Sequence, residues 1–149
     1  MKQHIRNISF ALLSLFAAAQ LIQPHTANPP VSPERSIWSD RTVDLRVRRI
    51  LRRACADCHS HETAWPWYSR VSPVSWLLAR HVVQGRTKLN FSDWSGASSD
   101  QLEEIYDSVA KGKMPLAGYL LMHPDARLSA ADKQILTAWA DGKLTAALR

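Results

Sequence analysis

The sequence predicts an all-α fold of about four helices joined by long loops. Three observations carry this. Three segments combine a helix start signal with a stop signal, and apolar residues recur at intervals of three and four. No alternating run of β-branched residues occurs along the 149 residues, and no internal repeat is present.

The first predicted helix covers residues 42–56, where Val43, Val47, Ile50 and Ala54 share one face and Arg46, Arg49 and Arg53 share another. In "VSPVSWLLARHVVQGR", Ser72 reads as N-cap, Pro73 as first helical residue and Gly85 as terminator, which predicts a helix over 73–84. In "SSDQLEEIYDSVAKGK", Ser98 and Gln101 form a capping box, Leu102, Ile105, Tyr106 and Val109 form the stripe, and Gly112 ends it. An irregular stretch is expected over 113–127. The last helix follows, capped by Ser129 with Asp132, turning Leu128, Ile135, Leu136 and Trp139 inward, and closed by Gly142. Long loops between short helices need something further to pack on.

The N-terminus "MKQHIRNISFALLSLFAAAQLIQ" has a basic start, an uncharged apolar run from Ile8 to Ala19 and three small residues before Gln20, the order of a secretory signal. Extended through Ile22, the same run reads as a retained membrane anchor. Residues 1–22 are therefore assigned to a signal or anchor, and both readings place the remainder outside the cytoplasm. Four prolines between Pro24 and Pro33 predict an extended linker over 23–40, with a soluble domain over 41–149 beginning near Ser39.

The formal charge is +6; removing Lys2 and Arg6 takes two charges away and leaves +4. Much of the excess sits in "RVRRILRR", residues 46–53. Export and helical spacing argue against nucleic acid and for a solvated helix face, with an acidic partner or anionic lipid as the other reading.

Both cysteines of the chain lie in Cys55-Ala56-Asp57-Cys58-His59. This is C-x-x-C-H, the attachment signature of c-type haem: two thiols add to the porphyrin vinyl groups and the next histidine ligates the iron. A disulfide and a thioredoxin-like redox pair use the same spacing, though the latter needs strands that this chain lacks. Zinc held by Cys55, Cys58, His59 and His61 is a further reading, with ligands more crowded than usual.

A bound haem needs a second axial position. Met114 in "KGKMP" is the leading candidate, because it follows a capped helix end and lies 55 residues beyond His59, room for two intervening helices. A thioether there would favour reduced iron. His81 is the alternative; Met122, His123 and His61 are further rivals, and each methionine or histidine has an ordinary core role as its competing reading. Trp65, Trp67, Tyr68, Trp76 and Trp94 are read as core or as a wall around the ring, and Arg70 and Arg86 as surface residues or propionate partners.

Taken together, "CADCHSHETAWPWYSRVSPVSWLLARHV", "GRTKLNFSDW", "GKMP", "HPDARLS" and "LTAWADGK" resemble the bacterial haem-binding domain family, c-type haem proteins related to small monohaem cytochromes c. The resemblance runs from about Asn28 to Lys143. It implies a cytochrome c-like fold around one haem c, covalently held at Cys55 and Cys58, with His59 as proximal ligand, on an exported and often membrane-anchored domain. In related small cytochromes a methionine before proline supplies the distal ligand, the place Met114 occupies. Family members often carry a second proline after this Met-Pro, where this chain has Leu116.

Three functions are compatible with these residues. The first is an electron carrier, exchanging electrons with redox proteins outside the cytoplasm. The second is an enzyme or gas sensor with an open distal site, using His81 or His123 as acid or base. The third is an accessory haem subunit that docks through the basic helix.

Overall fold

The computed structural model describes residues 1–144 and is all-helical, with no strand among them. Its helices are α1 (Lys2–Ala19), α2 (Leu45–Ala54), α3 (Ala56–His59), α4 (Val74–Lys88), α5 (Ser99–Ala110), α6 (Ala117–Met122) and α7 (Ala130–Ala140). Three 3-10 turns, Pro33–Arg35, Trp67–Arg70 and Pro124–Ala126, punctuate the loops.

Helix α2 starts later than its apolar spacing suggests because Asp44 takes the cap, accepting from the Arg46 amide at 2.7 Å. It buries Val47, Ile50, Leu51 and Ala54 and passes through Cys55 into α3. The arginine run is largely engaged by the fold. Arg48 donates to the Trp38 carbonyl at 2.6 Å, Arg52 lies 4.4 Å over the Trp38 ring, and Arg53 holds Asp132 and the Arg127 carbonyl. That leaves less of a docking face than a solvated stripe would offer.

Helix α4 departs from expectation at both ends. Ser72 does not cap it; Pro73 occupies the N-cap position, and the Ser72 hydroxyl meets Ser75 and the Ile22 carbonyl instead. Gly85 does not end it either, since the helix continues to Lys88. The glycine serves close approach: a Cβ there would sit 3.0 Å from the carbonyl carbon of Cys58 and closer still to its oxygen. This contact seats α3 on α4.

Both capping boxes form, Ser98 with Gln101 on α5 and Ser129 with Asp132 on α7, and the two helices pack together. Gly112 and Gly142 end their helices with φ of 65° and 69°. Val109, Leu128, Leu136 and Trp139 are buried as the stripes require, whereas Tyr106 is exposed. The irregular stretch contains α6, which has no side-chain cap to announce it.

The core joins α2, α5 and α7 to Ile37 and Phe91. Ile37 lies inside the expected linker, yet it is fully buried, and its amide donates to the Phe91 carbonyl at 2.9 Å. Trp94 likewise donates its amide to the Arg35 carbonyl. The packed body therefore extends upstream of Ser39, because the proline-rich segment is a strap held on the domain. Ahead of it α1 buries none of its residues, and no helix among the described residues is long and apolar enough to cross a membrane.

Candidate functional site

The end of α2, the Cys55–His59 segment, α4, the Leu89–Phe91 loop, α5 and the Met114–Leu116 turn enclose a cavity of about 590 Å³. Its size falls in the range of roughly 300–1,000 Å³ found for ligand and cofactor sites. Cys55, Cys58, His59, His81 and Met114 all line it, together with Leu51, Leu89, Phe91, Ile105, Val109 and Leu136. Residues separated by more than fifty positions thus share one apolar chamber.

His59 is fixed from two directions by one loop. Its Nδ1 lies 3.1 Å from the Leu89 carbonyl, and its own carbonyl accepts from the Phe91 amide at 2.7 Å. Nδ1 is accordingly the protonated nitrogen, which leaves Nε2 with the free lone pair, the arrangement that orients a metal-binding imidazole. Burial pushes the His59 pKa below its ordinary value, against a partial opposing effect of the Leu89 hydrogen bond. The ring is neutral at pH 7, the form that ligates iron.

Burial pushes the Cys55 thiol up to about 12 and the Cys58 thiol up to about 11, the latter helped by the nearby Asp57 charge. Both cysteines are free. Such surroundings suit an uncharged sulfur, thiol or thioether. The zinc reading fails on geometry. His61 turns away to the Pro30 carbonyl and to Asn90, and among the described residues no group of three or more His, Cys, Asp or Glu converges to hold a metal ion.

Several anticipated wall residues lie elsewhere. Trp65 donates to Asn28, Trp67 is 75% exposed, and Tyr68 packs edge-on against Trp67 and His123. Trp94 packs in tilted contacts between Phe91 and Trp139 and donates to Asp40. Arg86 is spent on the Ser60 carbonyl, Asn28 and Thr63. None of these five lines the cavity. His61, Met122 and His123 are also outside its wall.

Sequence reasoning passed over the site roles of Asp57, Leu89, Phe91 and Tyr119, and it read Gly85 only as a helix terminator. Tyr119 donates its hydroxyl to Asp57 at 2.7 Å, while the Ala64 amide donates to the other Asp57 oxygen at 3.0 Å. Burial, followed by this hydrogen bond, holds the Tyr119 phenol well above the usual tyrosine range. The interior glycine of α4 was the one local signal available; the remaining contacts are long-range.

The donor set fits a haem: two cysteines three apart, an oriented neutral imidazole, a thioether, and an apolar wall that excludes water. The comparisons with curated proteins and with solved structures return no match. A model of the haem-binding domain matches residues 14–142, which include every residue that lines the cavity. With the cavity lined by Cys55, Cys58, His59 and Met114, this match shows that the chain belongs to the haem-binding domain family.

Proposed function

We propose that this haem-binding protein is a monohaem electron carrier working outside the cytoplasm, with haem c joined to Cys55 and Cys58 by thioethers and its iron held between His59 and Met114. The observation that carries the reading is that these four side chains line a single apolar cavity. A bound haem supplies reversible one-electron exchange between ferric and ferrous iron. The protein's part is to hold and tune it.

Cys55 and Cys58 would fix one edge of the ring, and the Leu89 carbonyl would hold the His59 ring in orientation. Met114 would add a thioether that favours the reduced state, and the Leu51, Phe91 and Leu136 side chains would keep water out. The signal-like N-terminus supports a location outside the cytoplasm, with redox proteins there as partners.

The direct test is denaturing electrophoresis with haem stain: the stain stays with the chain if the thioethers form and migrates away if they do not. For the distal ligand, the oxidised protein is expected to show a near-infrared sulfur-to-iron band that Met114→Ala abolishes. A parent protein without the band would overturn that ligand.

A second reading, a haem enzyme or sensor with a labile distal site, draws on His81, which lines the same cavity. Rapid carbon monoxide binding to the reduced native protein would favour it over the carrier.

A further inference from the structure

We propose that Lys88 is the anchor of one haem propionate: when the cavity is filled, its ammonium leaves Glu104 and pairs with that carboxylate, so that the lip between α4 and α5 is the propionate edge of the site. The inference rests on the covalent attachment at Cys55 and Cys58 proposed above, and it adds what holds the other end of the ring.

Porphyrin chemistry sets the requirement. The vinyl groups that thiols attack stand on one edge of the ring, and the two propionate side chains leave from the opposite edge. Fixing the vinyl edge at Cys55 and Cys58 therefore carries two carboxylates away from the cysteines. A carboxylate against an apolar wall is costly unless a cation or water meets it. Among the described residues the cavity wall contains one lysine, Lys88, and no arginine; its acids are Asp57 and Glu104. Asp57 belongs to the cysteine edge, where Tyr119 and the Ala64 amide hold it. Lys88 and Glu104 form the other charged spot, where the end of α4 meets the first turns of α5.

That spot is built to exchange partners. Lys88 is the last residue of α4, and the Gln101 side chain donates to its carbonyl at 3.0 Å, which fixes the backbone from which the side chain extends. Its Nζ bonds to Glu104 at 2.8 Å, yet the two side chains are 66% and 55% exposed. An ion pair so open to water is weak. The flexible lysine stem lets the ammonium trade one carboxylate for another, and Glu104 stays hydrated when released. The second propionate meets water at the same open lip. Arg86 does not compete, because it is engaged with Ser60 and Thr63, and neither it nor Arg70 lines the cavity. The lip is also felt at the iron side of the chamber. After burial and backbone hydrogen bonds, the charges of Glu104 and Lys88 act on the His59 pKa in opposite directions.

The test uses the full haem-loaded chain and three variants, Lys88→Gln, Lys88→Arg and Lys111→Gln. Lys111 is a control of equal charge change, paired with Asp107 and absent from the cavity wall. Two quantities are read: the propionate bending band of the resonance Raman spectrum and the reduction potential. Lys88→Gln should move the band. It should also shift the redox balance about threefold towards ferric iron, the size of an exposed ion pair, which lowers the potential by about 28 mV at 59 mV per tenfold. Lys88→Arg should keep both at the parent values, because a guanidinium also pairs with a carboxylate. Lys111→Gln should leave the band in place. Since the Lys88 side chain is exposed, circular dichroism of its variants should match the parent. A band unmoved in Lys88→Gln, whatever the potential does, or moved equally in Lys111→Gln, would overturn the proposal while haem stain on the denatured chain leaves the attachment standing. Stain that migrates off the chain would overturn the attachment itself, and the proposal with it.

Discussion

Gly85→Ala isolates the contact that closes the cavity floor. In an exposed helix interior this change stabilises, by about 0.5–1 kcal/mol, because alanine loses less backbone entropy. At Gly85 the new Cβ would stand 3.0 Å from the Cys58 carbonyl carbon, and closer to its oxygen, where ordinary contact begins near 3.4 Å. The obstacle is backbone, so α4 must move off α3 by several tenths of an ångström or more. Overpacking of this kind costs about 1–3 kcal/mol, and rigid main chain argues for the upper half of that range. Net of the propensity gain, a loss of roughly 1–2 kcal/mol is expected, a fall in Tm of several degrees for a chain of this length. Urea unfolding followed by circular dichroism measures it, and the visible spectrum should shift in parallel because Cys58 and His59 ride on the displaced segment. Equal or greater stability with an unchanged spectrum would refute the reasoning.

Two other perturbations test local chemistry. The Arg46 side chain and amide hold the Asp44 carboxyl down at about 2, against an ordinary 3.8, so its folded pKa is depressed. Its capping contribution is fully present above about pH 4 and fades as pH falls towards 2. Asp44→Ala should therefore cost about 1 kcal/mol at pH 7, and parent and variant urea midpoints should approach each other as pH falls through the folded pKa of about 2. Tyr119→Phe removes the hydrogen bond to Asp57 and should cost about 1 kcal/mol in urea unfolding, since Asp57 retains the Ala64 amide. In ultraviolet titration the parent and the variant should show the same absorbance change within the usual tyrosine range, because the Tyr119 phenol ionises above it.

What could be read without coordinates was what is decided within a few residues. Ser98 and Ser129 bond to amides three positions on, so both capping boxes were legible. The same holds for Gly112 and Gly142, whose positive φ follows from ending a helix. Gly85 was misread because its cause lies across the fold, at Cys58, and a close-approach glycine looks like a stop signal in one dimension. The aromatics failed for a related reason. Trp65, Tyr68 and Trp94 carry the right chemistry for a cavity wall, yet side-chain direction is set by partners such as Asn28, His123 and Asp40 that spacing does not reveal. Conversely, Ile105, Val109 and Leu136 were identified as stripe residues and also line the cavity, because the inward face of a helix that packs around a chamber is the chamber wall.

The two ends of the proposed ligand axis are built differently. His59 follows Cys58 directly, and the Leu89–Phe91 loop holds it by ring and main chain, so little conformational freedom remains for its placement. Met114 must instead be brought from 55 residues away. It is 36% exposed, and its amide bonds to the Ser108 carbonyl at the end of α5. Its position is thus inherited from α5, which is held in turn by α7 and by Leu136, buried at the cavity wall. Changes in the α5–α7 packing therefore reach Met114 before they reach His59. The chain can vary its distal side through ordinary core substitutions while the Cys55–His59 segment, Gly85 and the Leu89–Phe91 loop keep the proximal side constant.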